Sequence, residues 1–100
     1  MRTVEVEMLA FGKGDMRPVD VPAAEFDGKD LMEQLEQVFY YGQNDFQPKE
    51  FPSVSVGDVV HLNGKKYICR MMGFAAITDE DYASHKALDR RDRSFSLYVA

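Results

Sequence analysis

The architecture of this chain follows from residues 40–74, YYGQNDFQPKEFPSVSVGDVVHLNGKKYICRMMGF. Near the centre, Asn63-Gly64 lies between two runs of strand-forming residues, which is a strong signal for a β-hairpin with a two-residue turn. Such a turn pairs Leu62 with Lys65, and the strand alternation then sorts the side chains onto two faces. The predicted core face carries Val60, Leu62, Tyr67, Cys69 and Met71. The other face, predicted to be partly covered, carries Val59 and Ile68 beside His61, Lys66 and Arg70.

Three more strands are predicted outside this stretch. Residues 3–8 alternate strictly, which places Val4, Val6 and Met8 inward and leaves Thr3, Glu5 and Glu7 in water. Residues 16–21 return as the second half of an N-terminal hairpin, and Pro18 pushes that strand to an edge because proline has no amide donor. Residues 94–99 alternate again and are predicted to form a closing strand.

Two helices are indicated by their N-terminal caps. Asp30 with Glu33 is a variant of the capping box, and the apolar stripe that follows predicts a helix over residues 30–41. The members of that stripe are Leu31, Met32, Leu35, Val38 and Phe39. Gly42 is expected to end the helix in a left-handed conformation. Thr78 with Asp81 predicts a second, surface-lying helix over residues 79–89.

These elements predict one α+β domain spanning residues 1–100. Its sheet is expected to be curved and mostly antiparallel, with about five strands, and to be packed by the helix at 30–41. A composition of 45% hydrophobic and 29% charged residues is ordinary for a globular protein and excludes wholesale disorder.

Charge and cysteine content restrict the setting and the partners. Residues 1–64 hold five basic and twelve acidic side chains, a net of −7, whereas residues 65–100 hold seven and five, a net of +2; together these give the total of −5. An acidic surface over most of the chain disfavours contact with phosphate backbones. Cys69 has no second cysteine for an intrachain disulfide, and no apolar run approaches the roughly 20 residues of a membrane span. We therefore expect a reducing cytoplasm and no membrane partner.

No set of residues predicts catalysis, a metal site or a cofactor. Cys69 lies on the core face of a strand and is expected to be a buried, inert thiol. His61 and His85 come without an adjacent nucleophile or base, and His61 faces Lys66 across the hairpin. The sequence therefore indicates a protein that is not an enzyme.

The residues that favour a binding site follow the first helix. Tyr41, Gln43, Asn44, Asp45 and Phe46 combine aromatic rings with several hydrogen-bonding side chains. Two interpretations stay open for this segment: a helix C-terminus with an Asx-type turn, or a recognition loop.

The order of features over residues 38–74 resembles that of the YodL-like domains of bacteria, phages and mobile elements. The matching pieces are Asn44, Pro48, the run Ser53–Val60, Tyr67 and Gly73-Phe74. The resemblance implies no catalytic residue; family members often occur in mobile-element proteins thought to act against host systems. The helix predicted at residues 79–89 matches no feature of the family.

Two functions are therefore expected from different classes. The first is a non-enzymatic protein-binding module, encoded by a phage or mobile element, that engages a host protein through residues 41–46 and the acidic surface. The alternative is a small barrel-like nucleic-acid-binding protein that uses His61, Lys66, Arg70 and the cluster Arg90–Arg93. The partner's identity and the oligomeric state do not follow from the sequence.

Overall fold

A computed structural model of the chain describes residues 1–10, 14–43, 53–93, 96 and 98–99. Five strands and four helices follow one another in these residues: β1 (Arg2–Met8), β2 (Asp15–Val21), α1 (Ala23–Phe26), α2 (Leu31–Tyr41), β3 (Val59–Leu62), β4 (Lys65–Cys69), β5 (Phe74–Ala76), α3 (Asp79–Ala87) and α4 (Arg90–Arg93). The strands form one antiparallel sheet in the order β2-β1-β3-β4-β5. The predicted α+β class is confirmed.

Helices lie on both faces of the sheet. Strands β2 and β3 run parallel on either side of β1, and helix α2, which lies between them in sequence, covers one face of the sheet. On that face Leu35 and Val38 of α2 pack into a core supplied by alternate strand residues such as Val6 and Val60. Strand residues that point to the other face of the sheet, among them Val59, pack with Tyr82 of α3 in a second cluster.

The predicted Asn63-Gly64 hairpin and the predicted N-terminal caps of the two helices are confirmed. Leu62 pairs with Lys65 across the Asn63-Gly64 turn, as expected from the sequence. The Asp30 carboxylate accepts a 2.9 Å hydrogen bond from the Glu33 amide and begins α2. Thr78 caps α3 in the same way, and that helix ends at Ala87, two residues before the predicted end.

Several other expectations about the fold are wrong. The sheet is uncurled, with β2 and β5 at its edges, rather than curved. The fifth strand is β5, whereas Ser96, Tyr98 and Val99 of the predicted closing strand lie in bends and turns and the rest of that segment is outside the described residues. Met71, expected in the core, is 73% exposed because β4 ends at Cys69.

The C-terminus of α2 differs from the expected left-handed cap. Gly42 has φ −77°, so its backbone does not require glycine. The requirement is steric, because a Cβ at this position would collide with the Val54 side chain and lie 2.8 Å from the Val38 carbonyl oxygen. This close approach brings Val54 against the end of α2, where its amide donates to the Gly42 carbonyl at 3.2 Å.

Candidate functional site

The loop predicted as a binding site is described only at its beginning. Asn44, Asp45 and Phe46 lie outside the described residues, while Tyr41 is half-buried and packs against the core under α2. The Gln43 side chain donates from Nε2 to the carbonyls of Phe39, at 2.8 Å, and Val54, at 3.2 Å. The side-chain amide of Gln43 therefore joins the C-terminal end of α2 to Val54.

A cleft opens beside α2, on the sheet face that this helix covers. We name it the α2–β5 cleft; its lining residues are Glu36, Phe39, Val56, Cys69, Arg70, Met71, Gly73 and Phe74. It encloses about 270 Å³. Small-molecule sites occupy roughly 300–1,000 Å³, so this cleft lies at the lower limit of that range and has room for one or two inserted side chains.

The cleft lies at the β4–β5 end of the sheet, whereas α2 packs mainly against β2. At this end the rings of Phe39 and Phe74 meet edge to face with their centroids 6.5 Å apart. The chain between β4 and β5 turns tightly, since the Arg70 amide donates to the Gly73 carbonyl at 2.8 Å and Gly73 has φ +85°. The turn projects Met71 and Met72, which are 73% and 93% exposed.

A second depression lies across α2 from the cleft. We name it the acidic depression; its lining residues are Glu25, Glu36, Gln37, Tyr40 and Tyr41. Both carboxylates are exposed, and no basic residue is among these described lining residues. Tyr41 of the sequence-predicted site belongs to this depression, and Glu36 lines both cavities.

Glu7 forms the densest polar cluster on the opposite face of the sheet, although the sequence pattern placed it in water. The residue is 2% exposed. Its carboxylate accepts hydrogen bonds from Tyr82 Oη at 2.6 and 2.9 Å, from Lys86 Nζ at 3.0 Å and from His61 Nε2 at 3.0 Å. Burial alone would raise the pKa of Glu7, but these donors outweigh it and lower the pKa. The cluster fastens α3 to the sheet.

Two further buried groups also have structural partners. Asp58 accepts from the amides of Ala10 and Ser55, each at 2.8 Å, and burial raises its pKa to about 6 against the opposing effect of these donors and of Arg17. His85 donates from Nε2 to the Gly57 carbonyl at 3.0 Å and lies 3.4 Å from Ser96 Oγ through Nδ1. Burial lowers the pKa of His85, and nearby Arg93 acts in the same direction, against the effect of the Gly57 carbonyl.

Cys69 is buried, as predicted. Burial, together with the charge of Asp58, raises the pKa of its thiol to about 12, so the thiol is protonated at neutral pH. Among the described residues no group of three histidine, cysteine or acidic side chains is arranged to hold a metal ion. No helix in the described part of the chain is both long and apolar enough to span a bilayer.

The cations proposed for nucleic-acid binding are already engaged within the chain in several cases. His61 donates to Glu7, and Lys66 Nζ lies 2.9 Å from Asp79 Oδ1. The Arg93 guanidinium donates to the carbonyls of Leu9, at 2.7 Å, and Leu88, at 3.0 Å. These contacts reduce the charge available to a phosphate backbone.

The residues that line the cleft were not recognised as a site from the sequence. The sequence pattern places Phe39 in the apolar stripe of α2 and Met71 on the core face of the hairpin, so it predicts both inside the protein. The available signal was the run Arg70-Met71-Met72-Gly73, in which a glycine suited to a turn follows two adjacent methionines.

Comparison of the chain with protein-family models, with curated protein sequences and with solved structures found no match.

Proposed function

We propose that this protein is a non-enzymatic protein-binding module whose partner inserts an apolar side chain into the α2–β5 cleft. The observation that carries the proposal is the apolar cleft next to the exposed side chains of Met71 and Met72. Methionine is flexible and polarisable and is enriched at adaptable binding surfaces, and aromatic residues such as Phe39 and Phe74 commonly form interface pockets.

The described titratable groups support a binding role over catalysis. Glu7, Asp58 and His85 are buried and bonded to the protein itself, and Cys69 is held in its protonated form. A general base or nucleophile needs access to a reacting atom. Glu7, Asp58 and His85 instead make hydrogen bonds within the fold.

The biological setting of the proposal comes from the resemblance to YodL-like domains. On that basis the protein is encoded by a phage or mobile element, is located in the bacterial cytoplasm and acts on a host protein. Nucleic-acid binding through His61, Lys66, Arg70 and Arg90–Arg93 has less support, because the described side chains His61, Lys66 and Arg93 already have partners within the chain.

Site-specific photo-crosslinking tests the proposed surface. A photoreactive phenylalanine analogue at Met72 is expected to give one discrete adduct with a cellular protein in living bacteria. The same analogue at Met16, which is 46% exposed on the sheet face away from α2, is the matched control and should give none. Absence of an adduct at Met72, or equal adducts at both positions, would contradict the proposal.

A further inference from the structure

Glu36 lies between two cavities of different chemistry. On one side the α2–β5 cleft has Phe39, Phe74 and Met71 in its lining. On the other side the acidic depression combines the carboxylates of Glu25 and Glu36 with the rings of Tyr40 and Tyr41. The two tyrosine rings are perpendicular, with centroids 5.0 Å apart. One partner crossing α2 at Glu36 would therefore meet an apolar receptacle first and an anionic, aromatic one next.

The segment of α1 and α2 that borders these cavities is mostly acidic, although Arg70 lies in the lining of the cleft. From Ala23 to Tyr41 there are five carboxylates and one lysine, which gives a net charge of −4. The carboxylates are Glu25, Asp27, Asp30, Glu33 and Glu36. Asp27 is paired with Arg2 at 2.8 Å, whereas Glu25 and Glu36 line the acidic depression. Carboxylates beside tyrosine rings favour a cationic side chain, through ion pairing and cation–π attraction.

We propose that the partner of this surface is a basic, extended segment with an apolar residue for the α2–β5 cleft and a lysine or arginine for the acidic depression. This inference rests on the proposed function, because it assigns the chemistry of the partner at the same cleft. It extends that function by committing to the sign of the partner's charge and to a second contact on the far side of α2.

The width of the helix sets the spacing of the two anchors. A helix with its side chains is about 10–12 Å across. An extended chain advances about 3.3 Å per residue, so three or four residues cover that distance. The partner segment therefore has the form apolar-x-x-basic or apolar-x-x-x-basic.

A second copy of this chain is a poor occupant for the same surface. The chain carries a net charge of −5, and two copies of α2 meeting at Glu36 would bring like charges together. The same negative charge that opposes self-association strengthens the binding of a basic segment.

The test uses NMR titration of the whole protein with capped synthetic peptides. The probe is Gly-Ser-Phe-Ser-Ser-Arg-Ser-Gly, and its controls replace the arginine with glutamate or the phenylalanine with serine. We expect the probe to shift the amide signals of Phe39 and Gly73 at the cleft and of Tyr41 at the depression. Each control peptide should bind about tenfold more weakly.

Charge exchange on the protein makes the test specific. Glu36→Lys should lose the arginine peptide and gain affinity for the glutamate peptide. Glu33→Lys makes the same change in net charge one turn away, outside both cavity linings, and should leave the preference for arginine in place.

Each other outcome counts against the inference. Peptides that bind at the cleft with no dependence on the arginine would overturn it and leave the proposed function standing. An absence of peptide shifts would also overturn it, while the crosslink at Met72 decides the proposed function independently. Self-association that Phe39→Ser abolishes would identify a second copy as the occupant and overturn the basic-segment inference.

Discussion

Replacing Glu7 with alanine is expected to lower the free energy of unfolding by about 3 kcal/mol at pH 7. The substitution removes the common acceptor of Tyr82 Oη, Lys86 Nζ and His61 Nε2 from a site where the residue is 2% exposed. Lys86 and His61 retain partial access to water, which holds the expected loss at the lower end of the range for a broken buried ion pair. The backbone amides of helix α3 should also become less protected against hydrogen exchange in this variant.

Chemical denaturation and hydrogen exchange measure this effect. Glu5→Ala is the matched control, since Glu5 lies two residues away on the same strand and the same face but is exposed; its effect should stay within about 0.5 kcal/mol. Glu7→Gln keeps one carbonyl acceptor and should cost less than Glu7→Ala. A loss under about 1 kcal/mol for Glu7→Ala would mean that the cluster does not hold α3 on the sheet.

The free energy of unfolding should depend on pH in a way that reflects the titration of Asp58. Its folded-state pKa of about 6 lies above the ordinary value of 3.8, so between these values the native protein binds the proton that the unfolded chain releases. The contribution of Asp58 to stability is therefore present at low pH and is lost as the pH rises through about 6. The shift corresponds to about 3 kcal/mol at 1.4 kcal/mol per pH unit.

Comparison with Asp58→Asn isolates this contribution. The pKa of His85 is lowered, so its contribution to the stability of the protein decreases as the pH falls, and the contribution of Glu7 decreases in a more acidic range. Both groups are present in the wild type and in the variant, so their effects cancel in the comparison. From pH 4 to pH 7 the difference in unfolding free energy should move by about 2–3 kcal/mol in favour of the variant. A flat difference, or movement in favour of the wild type, would show that the amides of Ala10 and Ser55 outweigh the burial.

Features set by neighbouring residues could be predicted from the sequence. The Asn63-Gly64 turn fixes the register of β3 and β4, because a two-residue turn leaves one way to pair its flanks. The caps Asp30 and Thr78 begin their helices because the side chain and the amide it accepts from are three residues apart. These interactions are complete within a few residues and need no knowledge of the tertiary structure.

Features set by contacts between distant segments could not be predicted. Glu7 occupies a water-facing position in the alternation of β1, yet Tyr82 and Lys86 of α3 cover it from 75 or more residues away. Strand β5 is three residues long, and its alternation is too short to recognise. The pattern at residues 94–99 is longer, but Ser96 lies in a bend and Tyr98 and Val99 lie in a turn.

The candidate site shows the same division. The sequence indicated a polar, aromatic segment after α2, and Tyr41 does line a depression there. The α2–β5 cleft depends on how far α2 extends over the sheet, which leaves Phe39 36% exposed although its spacing matches the buried stripe. An apolar stripe on a helix shows which side chains can face a sheet, but it does not show how much of the sheet the helix covers.

The most direct test of the proposed function is the affinity of the Met72-crosslinked partner for the Phe39→Ser variant. Phe39 lines the cleft, and its loss as an interface anchor is expected to weaken binding at least about 30-fold, or about 2 kcal/mol. Met16→Ser, an exposed apolar residue on the other face, should bind as the wild type does, and unfolding curves should show that both variants remain folded. An unchanged dissociation constant for folded Phe39→Ser would contradict the assignment of the cleft as the binding site.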